Sequence, residues 1–186
     1  MNIVGISGSP RAGGNTEILL KAVCDGAKKA GGETQLFLAS EGNISGCTGC
    51  MRCRRVPRCS IDDAMVRIYA EVERADAVVF ATPVYMGQMS AQAKAIVDRF
   101  YLFLDNDGGS RLPKGIKLQL VFTQAREEDD SYATYVGLCM EMFERIGFEV
   151  LSPMVVGGLR MKGEAASRRD ARLNAEAAGA ALVEGE

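Results

Sequence analysis

Asn2-Ile3-Val4-Gly5-Ile6, followed by Ser7-Gly8-Ser9-Pro10-Arg11-Ala12-Gly13-Gly14-Asn15-Thr16, opens the chain and decides how the rest is read. The first five residues are an apolar run of the length expected for a strand buried on both faces. The next ten are rich in glycine and hydroxyl side chains, after which Ile18, Leu19, Ala22, Val23 and Ala27 recur at helical spacing. Strand, loop and helix N-terminus in this order place the loop at the carboxyl edge of a sheet, where open α/β folds bind ligands. Free N–H groups at the helix start carry a partial positive charge, Ser7, Ser9, Asn15 and Thr16 add side-chain donors, and Arg11 adds a formal charge. The loop is not Gly-x-Gly-x-x-Gly and lacks a Gly-Lys-Ser/Thr ending, so a terminal monophosphate fits it better than a dinucleotide or a hydrolysable nucleotide. A glycine-rich turn with a serine cap is the plainer reading of the same residues.

The alternation continues outward from this unit. Gly31-Gly32 stops the first helix, and Thr34 to Ala39 reads as a second strand. Asp62 and Asp63 open an amphipathic segment carrying Met65, Ile68, Tyr69 and Val72. Ala75 to Thr82 is a third buried strand ended by Pro83, and Ser90 caps a helix that buries Ala93, Ile96, Val97, Phe100 and Leu104. Asp105 to Gly109 and Pro113 form a loop ahead of a fourth strand at Ile116 to Thr123. A helix over about 131–146, a strand over about 148–156 and a helix over 162–182 complete the pattern. Five strands alternating with five helices predict a three-layer α/β/α sandwich around a parallel sheet. With no composition shift and no internal repeat, residues 1–186 are expected to form one domain, interrupted by a cysteine-rich loop at about 44–60.

That loop carries Cys47-x2-Cys50-x2-Cys53-x5-Cys59. Two-residue gaps let a tight turn present three thiolates to one inorganic core, and a longer gap supplies a fourth, as a cubane iron-sulfur cluster requires. The last gap is longer than in bacterial ferredoxins, and no proline follows Cys59. Structural zinc more often uses two separated Cys-x2-Cys knuckles, and disulfides belong mainly to oxidising compartments and small loop-rich domains. A metal-free redox thiol loop is a third alternative. Cys24 and Cys139 fall inside helical patterns and read as small buried apolar side chains. Arg52, Arg54, Arg55 and Arg58 surround the thiols, suited either to offsetting negative charge or to docking an acidic partner, or else simply solvated.

Composition removes several function classes. Histidine is absent, which excludes Ser/His and Cys/His nucleophile systems and His-ligated metals, so chemistry falls to thiolates, carboxylates or a bound cofactor. A net charge of −2 with both signs interspersed gives no field for nucleic acid. No apolar stretch reaches the ~18 residues of a membrane span, and the chain enters its first strand without a basic leader, so a cytoplasmic protein is expected.

Taken together, Gly8-Ser9-Pro10-Arg11 with Gly14-Asn15-Thr16, Thr82-Pro83-Val84-Tyr85-Met86-Gly87, Ala91 to Arg99 with Lys94 and Asp98-Arg99, and the cysteine motif followed by Asp62-Asp63 resemble a known family. It is that of the flavodoxin-like NAD(P)H-dependent FMN reductases, and within them the iron-sulfur flavoproteins. The resemblance covers most of the first hundred residues and implies a five-stranded parallel sheet of order 2-1-3-4-5 with FMN at its switch point. It implies that Ser9, Arg11, Asn15 and Thr16 hold the FMN phosphate. Pro83, Val84, Tyr85, Met86 and Gly87 then form the wall against the ring and ribityl chain, and Cys47, Cys50, Cys53 and Cys59 hold a [4Fe-4S] cluster. Gln124-Ala125-Arg126 occupies the next loop position but departs from the glycine-bearing loops common in the family. The implied activity is electron transfer between FMN and the cluster, with NAD(P)H as a possible substrate and ferredoxin or a similar carrier as partner, in a homodimer or homotetramer. A cluster-free NAD(P)H-dependent FMN or quinone reductase is the alternative. A non-catalytic redox or metal-sensing module is another, from a different class.

Overall fold

The computed structural model describes residues 1–185. Its strands are β1 (Asn2–Ser7), β2 (Glu33–Leu38), β3 (Ala77–Tyr85), β4 (Gln88–Met89), β5 (Lys117–Thr123), β6 (Glu149–Val150) and β7 (Met154–Val156). Its helices are α1 (Asn15–Lys29), α2 (Arg52–Arg55), α3 (Met65–Val72), α4 (Ala91–Arg99), α5 (Ala133–Ile146) and α6 (Arg169–Glu184). The sheet runs β2-β1-β3-β5, with β6 and β7 both pairing in parallel with β5 at the far side. Counting β6 and β7 as one interrupted strand, this is the flavodoxin-like order expected from the resemblance.

Strand alternation sends side chains to two cores. Val4, Ile6, Val78, Phe80, Leu118, Leu120 and Phe122 join Ile68, Ile96, Phe100 and Phe143 on the face covered by α3, α4 and α5. Ile3, Val79, Ala81 and Val121 face Leu19, Leu20, Val23, Ala175 and Leu182 of α1 and α6. Each fully buried Ile, Leu or Phe contributes about 1.5–3 kcal/mol relative to exposure. α1 and α6 lie backbone to backbone: a Cβ on Gly26 would stand 1.9 Å from Glu176 O, and one on Gly179 would stand 1.8 Å from Val23 O. No helix among the described residues is long and apolar enough to cross a membrane.

Several boundaries differ from the sequence expectation: the third strand starts at Ala77, and the helix capped by Ser90 ends at Arg99, with Phe100–Phe103 continuing as a 3-10 turn. Pro83 does not end the third strand, which continues to Tyr85 and turns through Met86 (φ 51°) and Gly87 (φ 80°) into the antiparallel β4. Two successive left-handed residues are the geometry of a two-residue hairpin loop. Ala81 O accepts from Gly8 N, so alternation points the Pro83 nitrogen to the same side, beyond the end of β1, where no ladder partner is missing.

The last strand is broken into β6 and β7. The register shifts by one residue between Leu118↔Val150 and Val121↔Met154, with Pro153 in the gap. The side chain of Gln119 bridges this bulge, its Nε2 donating to Ser152 O at 2.9 Å and Leu120 O at 3.0 Å. Finally, the segment expected as one helix over 162–182 holds a short 3-10 turn at Glu164–Ala166 and becomes α6 only at Arg169.

Candidate functional site

The loop between β1 and α1 is held by packing and by α4. Ser90, the N-cap of α4, accepts from Ala93 N at 3.0 Å and donates to Gly8 O, while Thr82 Oγ1 accepts from Ser90 N at 3.3 Å. A Cβ on Gly8 would fall 2.4 Å from Ala93 Cβ, so only glycine lets the loop sit this close to α4. Within the loop, Ser7 Oγ accepts from Ser9 N and Ser9 Oγ from Arg11 N, at 3.3 and 3.2 Å. At the start of α1 the N–H groups of Asn15, Thr16 and Glu17 have no protein acceptor among the described residues. They leave the partial positive charge of the helix end open to an anion.

Glu17 shapes the rest of this end. Burial opposes its ionisation, yet hydrogen bonds from Lys21 Nζ (2.6 Å) and Gly13 N (2.8 Å) outweigh that and hold its carboxyl below the ordinary range. Its charge is thereby turned inward and spent within the protein.

Ser9, Arg11, Asn15, Thr16, Pro83, Val84 and Tyr85 meet in one cleft at the carboxyl edge of the sheet, joined by Thr123, Gln124, Ala125, Leu159 and Arg160. The Arg11 guanidinium stands 5.9 Å from the centre of the Tyr85 ring. Met86 and Gly87 are not in the cleft wall; they form the hairpin tip beside it, Met86 fully exposed. The Thr16 hydroxyl is bonded to that of Thr123 at 2.7 Å, and both polar ends of the Asn15 side chain are occupied, Nδ2 by Met161 O (2.8 Å) and Oδ1 by Ala165 N (3.1 Å). Gln124, 2% exposed, donates from Nε2 to Glu128 O, and its Oε1 is a buried acceptor with no partner. Free N–H groups, an arginine and a tyrosine ring in one cleft form a donor set that fits an aromatic monophosphate.

The cysteine loop lies at the other end of α4. Cys47, Cys50, Cys53 and Cys59 line a single cavity, closed below by Asp98, Arg99, Tyr101 and Leu102. Among the described residues no three His, Cys, Asp or Glu side chains converge as a single bound ion would need. Gly49 N donates to Cys47 Sγ at 3.5 Å, and Cys50 Sγ lies 3.1 Å from Ser60 Oγ. The Ser60 hydroxyl, with the Arg52 N–H, pulls the Cys50 thiol below its ordinary pKa, whereas burial pushes Cys53 up. Buried Cys24 is pushed up to about 11 by desolvation and, like Cys139, lies in the core away from this loop.

Buried Arg99 fastens both flanks of the loop. Its Nη1 donates to Ser45 O (3.2 Å) ahead of Cys47 and to Asp63 Oδ2 (2.6 Å) beyond Cys59, and its Nη2 donates to Ile61 O (3.3 Å). Its Nε reaches the Tyr69 hydroxyl at 3.2 Å, which also lies against the Cys59 thiol. Arg54 packs over the Tyr101 ring at 4.9 Å and donates to Leu104 O, while Arg52, Arg55 and Arg58 are exposed.

The family model for NADPH-dependent FMN reductases matches residues 1–112, more than half of the chain. The chain belongs to that family. An iron-sulfur flavoprotein of Methanosarcina thermophila is 41% identical over 121 residues, 62% of this chain and 63% of the relative. One from Methanocaldococcus jannaschii is 35% identical over 99 residues, 53% of this chain and 51% of the relative. The chain thus spans 63% of the first of these relatives and 45–51% of the other curated relatives it matches.

Solved structures agree on the fold. The NAD(P)H:quinone oxidoreductase of Methanothermobacter marburgensis has a TM-score of 0.76 at 17% identity, covering 98% of this chain and 96% of that one. A flavodoxin from the domain Archaea has a TM-score of 0.63 at 12% identity, covering 100% and 98%.

Three residues of the cleft, Thr123, Leu159 and Arg160, carry no local sequence signal of their own that places them there. Gly157-Gly158 just beyond the last strand was the available signal, since a glycine pair at the carboxyl edge marks a loop that approaches other backbone closely.

Proposed function

We propose that this chain is an FMN-dependent oxidoreductase whose residues 1–186 act as one FMN-binding domain, with Cys47, Cys50, Cys53 and Cys59 holding a [4Fe-4S] cluster. The observation that carries the reading is the pair of sites on α4: a cleft with unpaired helix N–H groups, Arg11 and Tyr85 near its start, and four thiols around one cavity at its end. Bound FMN would exchange electrons in pairs or singly and the cluster one at a time, which joins two-electron substrates such as NAD(P)H to one-electron carriers.

The chain's own residues do the rest. The N–H groups of Asn15, Thr16 and Glu17, with Ser9 and Arg11, bind the phosphate. Pro83, Val84 and Tyr85 form the wall for the ring and ribityl chain, and the hairpin tip at Met86-Gly87 flanks its open side. Arg99 holds the cysteine loop to α4. Ser90 and Arg99, nine positions apart, stand roughly 14 Å apart along α4. The reading includes a homodimer or homotetramer in which the cluster site of one chain faces the flavin site of another. Exposed Arg52, Arg55 and Arg58 beside the thiols suit an acidic carrier such as ferredoxin. The expected location is cytoplasmic.

Anaerobic purification followed by flavin, iron and acid-labile sulfide assays tests the reading. About one FMN and about four irons per chain are expected. FMN without iron would leave the cluster-free reductase, and a chain that takes up neither would leave the sensing module.

A further inference from the structure

The segment that follows β7 is built more elaborately than a connection to α6 requires. A Cβ on Gly157 would stand 2.3 Å from Glu127 O, and Gly158 has φ +71°, so the chain passes hard against the loop after β5. Gly157 N donates to Asp129 Oδ1 (2.6 Å), Gly158 N to Arg126 O (2.7 Å) and Leu159 N to Gln124 O (2.9 Å). Next, the N–H groups of Arg160 and Met161 both donate to Glu164 Oε2, at 2.6 and 2.8 Å. Asn15 clasps the segment from the other side through Met161 O and Ala165 N. Arg160 is therefore fixed in backbone position between two anchors, on the wall of the cleft that holds Ser9, Arg11 and Thr16.

Its guanidinium is less committed than its backbone. Nε donates to Ala125 O at 3.3 Å, and Nη2 lies 3.5 Å from Glu127 Oε1 in an ion pair whose side chains are 67% and 70% exposed. Exposed pairs of this kind contribute little, so a phosphate dianion in the cleft would compete for the same cation with charge-assisted, bidentate geometry. Resting on the FMN reading above, we propose that residues 157–165 form the second half of the phosphate site. Arg160 contacts the FMN phosphate, and the Asn15 side chain is a positioning group that holds this segment in place rather than a phosphate ligand.

The test is a cycle of Arg160→Ala, Asn15→Ala and the double variant, with dissociation constants measured for FMN and for riboflavin, which lacks the phosphate. Arg160→Ala should weaken FMN about tenfold or more and leave riboflavin within about twofold. Asn15→Ala should weaken FMN by a similar factor in the unmutated chain and add nothing once Arg160 is gone. Arg160→Lys, which keeps the charge without the fork, should fall between. An unchanged FMN constant in Arg160→Ala, equal losses for both flavins, or additive effects in the cycle would overturn the proposal. Should Asn15→Ala not fold, Glu164→Ala, which removes the acceptor of the Arg160 and Met161 N–H groups, loosens the same segment and replaces it in the cycle. An unmutated chain that binds neither flavin overturns the function itself, whereas tight FMN binding with a neutral Arg160→Ala overturns only this inference.

Discussion

Arg99 Nη1 lies 2.6 Å from Asp63 Oδ2, with the two side chains 1% and 8% exposed. The pair joins the C-terminal end of α4 to the residue that closes the cysteine loop, and Asp63 further accepts from Ser45 N (2.9 Å) and Met65 N (3.0 Å). Removing one partner leaves the other charged and buried, which costs about 3–5 kcal/mol. Asp63→Asn and Arg99→Met should each lower unfolding stability by that order in urea titrations and expose the 44–60 loop to limited proteolysis. If the loop stays resistant in both variants, Arg99 is not its anchor.

The same pair makes stability pH-dependent. Burial raises the pKa of Asp63, but the Arg99 hydrogen bond and the Ser45 and Met65 N–H groups outweigh it and hold the carboxyl below its ordinary value near 3.8. A depressed folded pKa means stability that is present in full above the unfolded value and lost as pH falls through the folded one. Between pH 5 and 8 this contribution should be flat, and it should decline as pH drops below about 4. Asp63→Asn should remove that part of the acid slope in chemical-denaturation curves recorded against pH.

How much of this was legible in the sequence depends on whether a feature is local. The strand over 2–6, the loop after it and the cap at Ser90 are readable because periodicity, glycine content and capping chemistry act within a few residues. Asp63 was read only as an acid favoured at a helix start, and Arg99 only as part of a motif. Nothing local says that residues 36 apart will meet under the cysteine loop. Arg160 is hidden for the same reason, since the segment that carries it is bonded to Asn15, which lies 146 and 150 residues from its partners Met161 and Ala165. Pro83 is compatible with the strand because β1 has already ended beside it, which is a non-local fact.

Gly8→Ala tests the seat of the phosphate loop. The added methyl would overlap Ala93 Cβ at 2.4 Å and Ala93 Cα at 2.7 Å, and a backbone atom cannot rotate away. Overpacking of this kind costs about 1–3 kcal/mol. Because relief requires the loop to lift from α4, FMN affinity should fall together with the melting temperature. A lower melting temperature with unchanged affinity would place the strain in α4 alone.

Changing all four loop cysteines to serine should separate the two sites. Cys47 and Cys50 are exposed, and Cys53 and Cys59 only graze the core, so the fold and the cleft at the far end of α4 should remain. Iron content is expected to fall to background while the FMN dissociation constant stays within about twofold. Parallel loss of FMN would mean that the cysteine loop and the cleft are energetically coupled rather than merely joined by one helix.

Gln119→Leu probes the bulge between β6 and β7. Gln119 is 5% exposed, and its amide reaches Ser152 O where the strand ladder is interrupted. Leucine matches its bulk but cannot donate, so the Ser152 carbonyl at the exposed edge of the sheet loses this donor, at a cost of about 0.5–1.5 kcal/mol. The break lies midway along β5, away from the Gly157-Gly158 turn that approaches the cleft, so FMN affinity should change less than stability does. Urea unfolding and flavin titration on the same variant distinguish these. A large affinity loss with little destabilisation would mean that the bulge sets the position of the 157–165 segment, not just the edge of the sheet.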